Sequence, residues 1–140
     1  MAEISTSGLE ELLPDMEAIA EIPDAVILEM LAAEAGVIAP AQAAEARAMG
    51  VVDKGVTARS ITFDKKLKVT KDGKAIYVYP KGSRSDGSRR RVAEVAFVNE
   101  FGKEGQPARP FINTANARKG DEALKAAAEV YDNFLKSKNL

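Results

Sequence analysis

The stretch from Val92 to Phe111, VAEVAFVNEFGKEGQPARPF, constrains the fold most, because two of its residues fix where one element ends and the next begins. Gly102 tolerates the positive φ at which helices and strands often end. Pro110 fixes φ at about −65° and lacks an N–H, which suits the first turn of a helix. The sequence therefore predicts a hinge, with an apolar element stopping at Gly102 and a C-terminal helical part beginning at Pro110.

The apolar element before this hinge has an ambiguous period. Val92, Val95 and Asn99 fit one face of a helix, whereas Val95, Phe97 and Phe101 fit the alternation of a strand. The glycine that follows the element favours a short helix, which we predict for residues 92–101.

Two charged residues flank the polar loop of the hinge. Glu100 and Arg109 are suited to a bidentate carboxylate–guanidinium pair across the loop. The alternative is two separate solvated charges, because surface ion pairs often contribute nothing measurable. Phe101 and Phe111 are predicted to anchor the two ends of the loop in the core.

Residue content excludes several classes of site. A chain of 140 residues favours one domain, and the absence of cysteine and histidine removes disulfides, thiolate ligands and the usual general base. We find no phosphate-binding loop, metal-ligand cluster or nucleophile elbow, and predict no catalytic residue, metal or cofactor. No apolar run approaches the roughly 20 residues of a membrane span. The N-terminus lacks the layout of a signal peptide, so we expect a soluble protein made in the cytoplasm.

Charge is divided unequally along the chain. Residues 1–50 carry ten acidic residues and one basic residue, whereas residues 51–140 carry nineteen basic and eleven acidic residues. The two parts attract each other, either within one molecule or between molecules packed head to tail. The sequence leaves both arrangements open.

The first part of the acidic region predicts a helix. Ser7-Gly8-Leu9-Glu10 has the spacing of a capping box. Pro14 lies within the helix that follows and must kink or split it. The apolar residues of this helix recur at spacings of three and four: Leu9, Leu12, Leu13, Met16, Ile19 and Ala20.

A second helical region follows, with breaks predicted inside it. Pro23 suits the first helical position, and the apolar face runs from there to Gly36. Pro40 marks a kink or a restart, after which an alanine-rich helix continues until Gly50 ends it.

From Ser60 the apolar period changes to two. Lys71-Asp72-Gly73-Lys74 then predicts a type I′ turn, because Asp-Gly tolerates the two positive φ values. Ala75–Tyr79 forms the partner strand, which Pro80 ends. The sequence predicts an antiparallel hairpin over residues 60–80, whose first strand buries Ile61, Phe63, Leu67 and Val69.

A polar Gly/Ser loop, KGSRSDGSRRR, follows the hairpin and holds five basic residues and one acid. It contacts DNA or an acidic protein face in one interpretation, and is a solvated hairpin loop in the other. Its basic residues are Lys81, Arg84, Arg89, Arg90 and Arg91.

The C-terminal part predicts two helical segments. Asn113–Lys119 is a short helix or turn interrupted around Gly120, and Asp121 caps the final helix. The apolar stripe of that helix comprises Leu124, Ala127, Ala128, Tyr131, Phe134 and Leu135.

The pattern as a whole indicates a single α+β domain. Its parts are an acidic helical region (1–50), a β-hairpin (56–80) in a small sheet, the basic loop (81–91) and a C-terminal region (92–140). We expect a short helix and the C-terminal helix to pack on one face of the sheet.

Two stretches of the chain resemble a known family. VNEFG followed by QPARPF is similar to the signature of the tail-component family of long-tailed (siphovirus) bacteriophages, and VDKGVTARSI resembles the Asp-Thr-Gly segment of that family. Lys54 stands where threonine is usual. The matching signature residues are Asp53, Gly55, Glu100, Phe101, Gly102, Pro107, Arg109, Pro110 and Phe111.

This resemblance implies a structural role without enzyme activity. The protein is expected in the virion, as a homo-oligomeric ring, commonly a hexamer, between the head connector and the tail tube. The implied role is tail completion, tail termination or head–tail joining, with DNA passing through the ring irrespective of its sequence.

A second hypothesis comes from another functional class. The basic loop, with Tyr77 and Tyr79 nearby as stacking partners, is also suited to a small nucleic-acid-binding module. Binding that weakens with salt and with loss of Arg89, Arg90 and Arg91 would distinguish this role from a ring subunit.

Overall fold

The computed structural model of the chain describes residues 22–51, 55–83 and 91–139. In these ranges the chain is a mixture of helix and strand, which confirms the predicted α+β class. The predicted N-terminal capping box and the kink at Pro14 lie outside the described residues. The elements, in chain order, are α1 (Asp24–Ala48), α2 (Val56–Ser60), β1 (Ile61–Phe63), β2 (Lys68–Thr70), β3 (Gly73–Ala75), β4 (Val78–Pro80), α3 (Val92–Phe101) and α4 (Phe111–Ser137).

Helix α1 is continuous over 25 residues, so the predicted breaks at Gly36 and Pro40 were wrong. A proline leaves the carbonyl four residues earlier without its helical partner, here that of Gly36. Both residues are exposed, so water can take that hydrogen bond, while the adjacent face of α1, which contains Ala35, Ala39 and Ala43, is buried. Packing on the buried face therefore outweighs the local penalty. Pro23 is the N-cap rather than the first helical residue.

The C-terminal end of α1 confirms the prediction for Gly50. Gly50 has φ +72° and donates its N–H to the carbonyl of Arg47 at 3.2 Å. The N–H of Val51 donates to the carbonyl of Ala46 at 2.9 Å. These two bonds form a Schellman motif, in which a glycine reverses the chain and the last carbonyls of the helix are satisfied.

The predicted hairpin is present as two short antiparallel ladders, but the predicted burial of Val69 was wrong, because its side chain is 83% exposed. Ile61 pairs with Pro80 in the β1–β4 ladder, and Lys68 pairs with Ala75 in the β2–β3 ladder. Four residues of the first arm and two of the second separate the ladders. Asp64 joins the arms there, because its carboxylate accepts the N–H of Tyr77 at 2.8 Å.

The turn of the hairpin differs from the prediction. Thr70 pairs with Gly73, so Lys71 and Asp72 form the loop, one residue earlier than predicted. Neither loop residue has positive φ, whereas Gly73 has φ +134°. The prediction of a type I′ turn was therefore wrong, and the glycine serves as the first residue of β3.

Helix α4 is continuous over 27 residues, so the predicted interruption at Gly120 and the cap at Asp121 were wrong. Within the predicted apolar stripe, Ala127 and Phe134 are buried, whereas Leu124 is 63% exposed. The buried face of α4 instead contains Phe111, Ala115, Ala123, Ala127 and Phe134.

The core lies where the end of α1 meets α2, α3 and the start of α4. Its members are Ala43, Ala46, Val51, Ala58, Ala96 and Phe111. Helices α1 and α4 make the most extensive contact between elements. Two ion pairs connect acidic α1 to the basic part of the chain: Asp24 with Lys74, and Glu45 with Arg118. Part of the charge division is thus satisfied within one molecule.

Candidate functional site: an apolar groove beside the joint between α3 and α4

The joint between α3 and α4, residues 99–113, is built around Glu100. The side chain of Glu100 is buried, and its two carboxylate oxygens accept the backbone N–H groups of Ile112 at 2.8 Å and Asn113 at 2.9 Å. The first N–H groups of a helix have no partner within the helix and carry partial positive charge. Glu100 therefore caps α4 from the last turn of α3, which fixes the angle between the two helices.

Arg109 does not pair with Glu100, so the predicted carboxylate–guanidinium clamp was wrong. The guanidinium Nη1 of Arg109 donates to the backbone carbonyl of Gly50 at 3.2 Å. The backbone N–H of Arg109 donates to the carbonyl of Asn99. Both charged residues thus bind backbone groups, and Arg109 connects the end of α1 to the start of α4.

Gly102 sets the path of the loop inside the joint. It has φ +76°, and its N–H donates to the carbonyl of Val98 at 2.8 Å. A Cβ at this position would lie 2.8 Å from the backbone N of Ala108 and 2.9 Å from the carbonyl oxygen of Gln106. The predicted end of the element at Gly102 is therefore confirmed, and the close backbone approach gives a second reason for glycine. Pro110 is the N-cap of α4 rather than its first residue.

An open apolar groove of about 580 Å³ lies beside this joint. Phe97 and Phe101, one turn apart on α3, form its most prominent side, with ring centroids 4.7 Å apart. They are 62% and 67% exposed. The other lining residues come from β4, α3 and the start of α4, and include Pro80, Ala93, Pro110, Ile112 and Asn116.

The exposure of Phe101 corrects one prediction and the burial of Phe111 confirms another. Phe111 is fully buried and belongs to the core cluster, as predicted. Phe101 was predicted to be a core anchor, but it faces the groove because the helical period places it with Phe97 and away from buried Ala96. The helix prediction for residues 92–101 was right, and a helical projection of α3 would have revealed the exposed pair.

A side chain on α1 forms a hydrogen bond with the polar end of the groove. Asn116 lines the groove, and its Oδ1 accepts a hydrogen bond from Nε2 of buried Gln42 at 3.0 Å. Sequence reasoning gave no role to either residue, because a polar pair between two distant helices leaves no local pattern.

The predicted basic loop is described only at its two ends. Lys81 and Arg91 are exposed, and Arg91 forms an isolated β-bridge with Ser83. Arg84, Arg89 and Arg90 lie outside the described residues. The two described basic residues therefore stand where the chain leaves β4 and where it enters α3.

A second basic surface, which sequence reasoning missed, lies on the hairpin. A shallow groove of about 360 Å³ is lined by Lys65, Lys66, Lys68 and Lys81, together with Tyr79 and with Asp64, whose carboxylate pairs with Lys68 at 3.4 Å. Nζ of Lys68 lies 5.3 Å from the ring centroid of Tyr77, which is 48% exposed. The signal was present in the run Asp-Lys-Lys-Leu-Lys at residues 64–68.

The remaining signature residues have backbone roles where they are described. Gly55 has φ +74° and is the N-cap of α2. Pro107 is exposed in the loop of the joint, and Asp53 lies outside the described residues. In residues 22–51, 55–83 and 91–139, no group of acidic residues is arranged to hold a metal ion. Burial raises the pKa of the Glu34 carboxyl on α1, which does not line the apolar groove.

Comparison with known proteins gives no relative from which to transfer a role. No protein-family model matches the chain, and neither does any curated protein or solved structure. The helices of the described ranges include none with the length and hydropathy to cross a membrane.

Proposed function

We propose that the protein is a structural subunit of a ring at the neck or tail end of a long-tailed bacteriophage. In this role it connects the head connector to the tail, contacts neck and tail tube proteins, and lets DNA pass. The role is tail completion, tail termination or head–tail joining. It requires no enzyme activity and no cofactor.

The observation that carries the proposal is the open groove beside the joint, with two phenylalanines that are 62% and 67% exposed. Large exposed apolar patches on folded domains commonly mark surfaces that bind other proteins. Aromatic residues are also enriched in the centres of protein interfaces. A groove of this kind supplies apolar contact area through which one subunit can bind its neighbour.

The resemblance supports the same role through the residues that carry it. Glu100 and Arg109 bind backbone groups of α4 and of the end of α1, and Gly102 lets the backbone of the loop pass close to itself. All three residues therefore position the backbone around the joint. The signature therefore holds α3 at a fixed angle and presents its two phenylalanines at the surface.

The mass of the purified full chain in solution tests the proposal, together with detection of the protein in phage particles. We expect a closed homo-oligomer, commonly of six subunits, and the protein in the particle. A strictly monomeric chain that is also absent from particles would overturn the proposal.

A matched pair of variants sharpens the test. Phe97→Ser with Phe101→Ser should shift the mass toward that of the monomer, because both rings are exposed and their loss removes contact area rather than core. Leu124→Ser, which changes a residue of similar exposure on α4, is the control and should leave the mass unchanged.

The lysine surface of the hairpin favours a second function, a nucleic-acid-binding module. Four lysines around Tyr79 combine positive charge with an aromatic ring, as single-stranded nucleic-acid sites do. Binding of a labelled oligonucleotide should then weaken steeply with salt. Alanine at Lys65 and Lys66, or at Arg89, Arg90 and Arg91, should reduce the affinity. If these variants bind DNA as the unaltered chain does but fail to attach tails, the basic surfaces contact protein.

A further inference from the structure

We infer that the apolar groove beside the joint binds the N-terminal segment, residues 1–21, of a neighbouring copy of the same chain. This inference rests on the proposed ring and names the contact that closes it. The sequence of this segment predicts a helix, kinked or split at Pro14, with the apolar stripe of Leu9, Leu12, Leu13, Met16 and Ile19.

The shape of the groove suits an amphipathic helix. Ala93, Phe97 and Phe101 recur every four residues along α3 and form one wall of the groove, and Pro110 and Ile112 lie on the side of α4. A helix that binds in such a groove does so through anchors at spacings of three, four and seven. The N-terminal stripe has these spacings, with Leu9, Leu12 and Met16 as its central anchors.

Chain geometry favours a neighbour over the same molecule. Helix α1 has 25 residues and is about 37 Å long at 1.5 Å per residue. The groove lies near its far end, because Arg109, next to the lining residue Pro110, binds the carbonyl of Gly50. The helix predicted for residues 9–20 would be about 18 Å long if straight and shorter with the kink at Pro14, and the chain connects it to the near end of α1 at Ile22. It falls well short of the groove in its own molecule.

Charge complements the apolar fit. Residues 1–21 contain six acidic residues and no lysine or arginine. Two exposed basic residues are close in sequence to residues that line the groove: Lys81 follows Pro80, and Arg91 lies two residues before Ala93. An acidic helix with one apolar face therefore meets an apolar groove with basic residues at its edge.

This contact has the symmetry that a ring requires. The binding segment and the groove are different surfaces of one chain, so each copy offers its segment to one neighbour and its groove to another. Such heterologous contacts close into rings when the rotation between subunits permits.

Cysteine cross-linking of full-length chains tests the inference, because the natural sequence has no cysteine. One preparation carries Met16→Cys and a second, marked by a mass tag, carries Phe101→Cys. The two are mixed, allowed to assemble and oxidised mildly. A disulfide between the two preparations joins different molecules by construction.

We expect the mixed dimer to form in several-fold excess over the one obtained when Leu124→Cys replaces Phe101→Cys, since Leu124 is equally exposed on α4. Equal yields for the two positions would overturn the inference, as would the absence of a mixed dimer. So would a chain carrying both Met16→Cys and Phe101→Cys that closes its disulfide only within itself.

Mass measurement separates this inference from the proposed ring. Leu12→Ser with Met16→Ser should reduce the assembled mass, whereas Ser5→Ala with Thr6→Ala, two uncharged residues that precede the apolar stripe, should retain it. A chain that assembles into rings without the mixed cross-link refutes the N-terminal contact and leaves the ring intact. A monomeric chain refutes the N-terminal contact, and a monomeric chain that is also absent from phage particles refutes both.

Discussion

At the scale of single residues, charged side chains of the joint act on backbone groups rather than on each other. Glu100 holds two N–H groups of α4, and Arg109 holds the carbonyl of Gly50. A buried carboxylate that accepts two amide N–H groups is costly to replace, because removal of one acceptor oxygen leaves an amide unsatisfied. The joint is therefore sensitive to changes of a single atom.

Glu100→Gln should lower the free energy of unfolding by about 1–3 kcal/mol, because the new NH2 group faces a backbone N–H that has lost its acceptor. Thermal denaturation followed by circular dichroism measures the loss as a lower Tm. Glu104→Gln, at an exposed position of the same loop, is the control and should leave the Tm unchanged. Equal Tm values for the two variants would contradict the capping role of Glu100.

Gly102→Ala should destabilise the protein more than Gly105→Ala, although both residues have nearly the same φ, +76° and +78°. The positive φ alone costs about 1–2 kcal/mol for an alanine. At Gly102 the new methyl group also lies 2.8 Å from a backbone nitrogen, whereas at Gly105 nothing lies within 4 Å. Denaturant titration of both variants should show the larger decrease for Gly102→Ala, and the reverse order would contradict the loop geometry.

At the scale of elements, two long helices override local signals that the sequence presents as breaks. Gly36, Pro40 and Gly120 all lie inside helices. Local rules assign each of them a cost, but α1 and α4 pack along each other and gain more from continuity than each residue loses. Gly50 and Gly102, in contrast, end their helices as the local rules predict, because at each of them the chain turns away from the helix.

Gly120→Ala should raise the free energy of unfolding by about 0.5–1 kcal/mol, because alanine reduces the freedom of the unfolded chain and suits a helix interior. The position has open space around it for a methyl group. A rise in Tm is the expected result in a thermal melt. A fall would indicate a helix interrupted at Gly120, since alanine tolerates poorly the positive φ of a helix end.

The same contrast explains how much of the fold and the site could be predicted from the sequence. The α+β class and the hairpin followed from the apolar period, although the type of turn did not, and the helix over residues 92–101 followed from the glycine after it. The partners of Glu100 and Arg109 did not, because backbone amides and carbonyls are the same at every position and leave no pattern. Phe101 was predicted to be a core anchor, whereas it lies on the exposed side of α3.

At the scale of the whole molecule, the unequal charge of the two parts of the chain and the apolar groove beside the joint both bear on how copies of the protein associate. The described ion pairs, Asp24 with Lys74 and Glu45 with Arg118, involve at least one exposed partner each, so they contribute little to stability. The apolar groove should contribute more to the free energy of association, since covering it removes two exposed phenylalanine rings from water. Association should therefore depend more on the groove than on the ion pairs.

The Tm of the full chain should rise with protein concentration, because a native state that binds copies of itself is stabilised by mass action. The variant carrying Phe97→Ser and Phe101→Ser should have a Tm that does not depend on concentration. A series of calorimetric scans over a wide range of protein concentration measures both. A constant Tm for the unaltered chain, at concentrations where it is assembled, would contradict stabilisation by association.

Alanine supplies nine of the thirteen buried hydrophobic residues in the described part of the chain. A methyl group covers little area, so each such residue contributes little to folding, and two helices in close contact do not replace the large side chains of a typical core. We therefore expect the single chain to have low resistance to proteolysis, and the proposed binding to neighbouring copies to extend its lifetime in a cell. Copies that join no assembly would be degraded, and the amount of protein that persists would match the number of subunit positions in the assemblies.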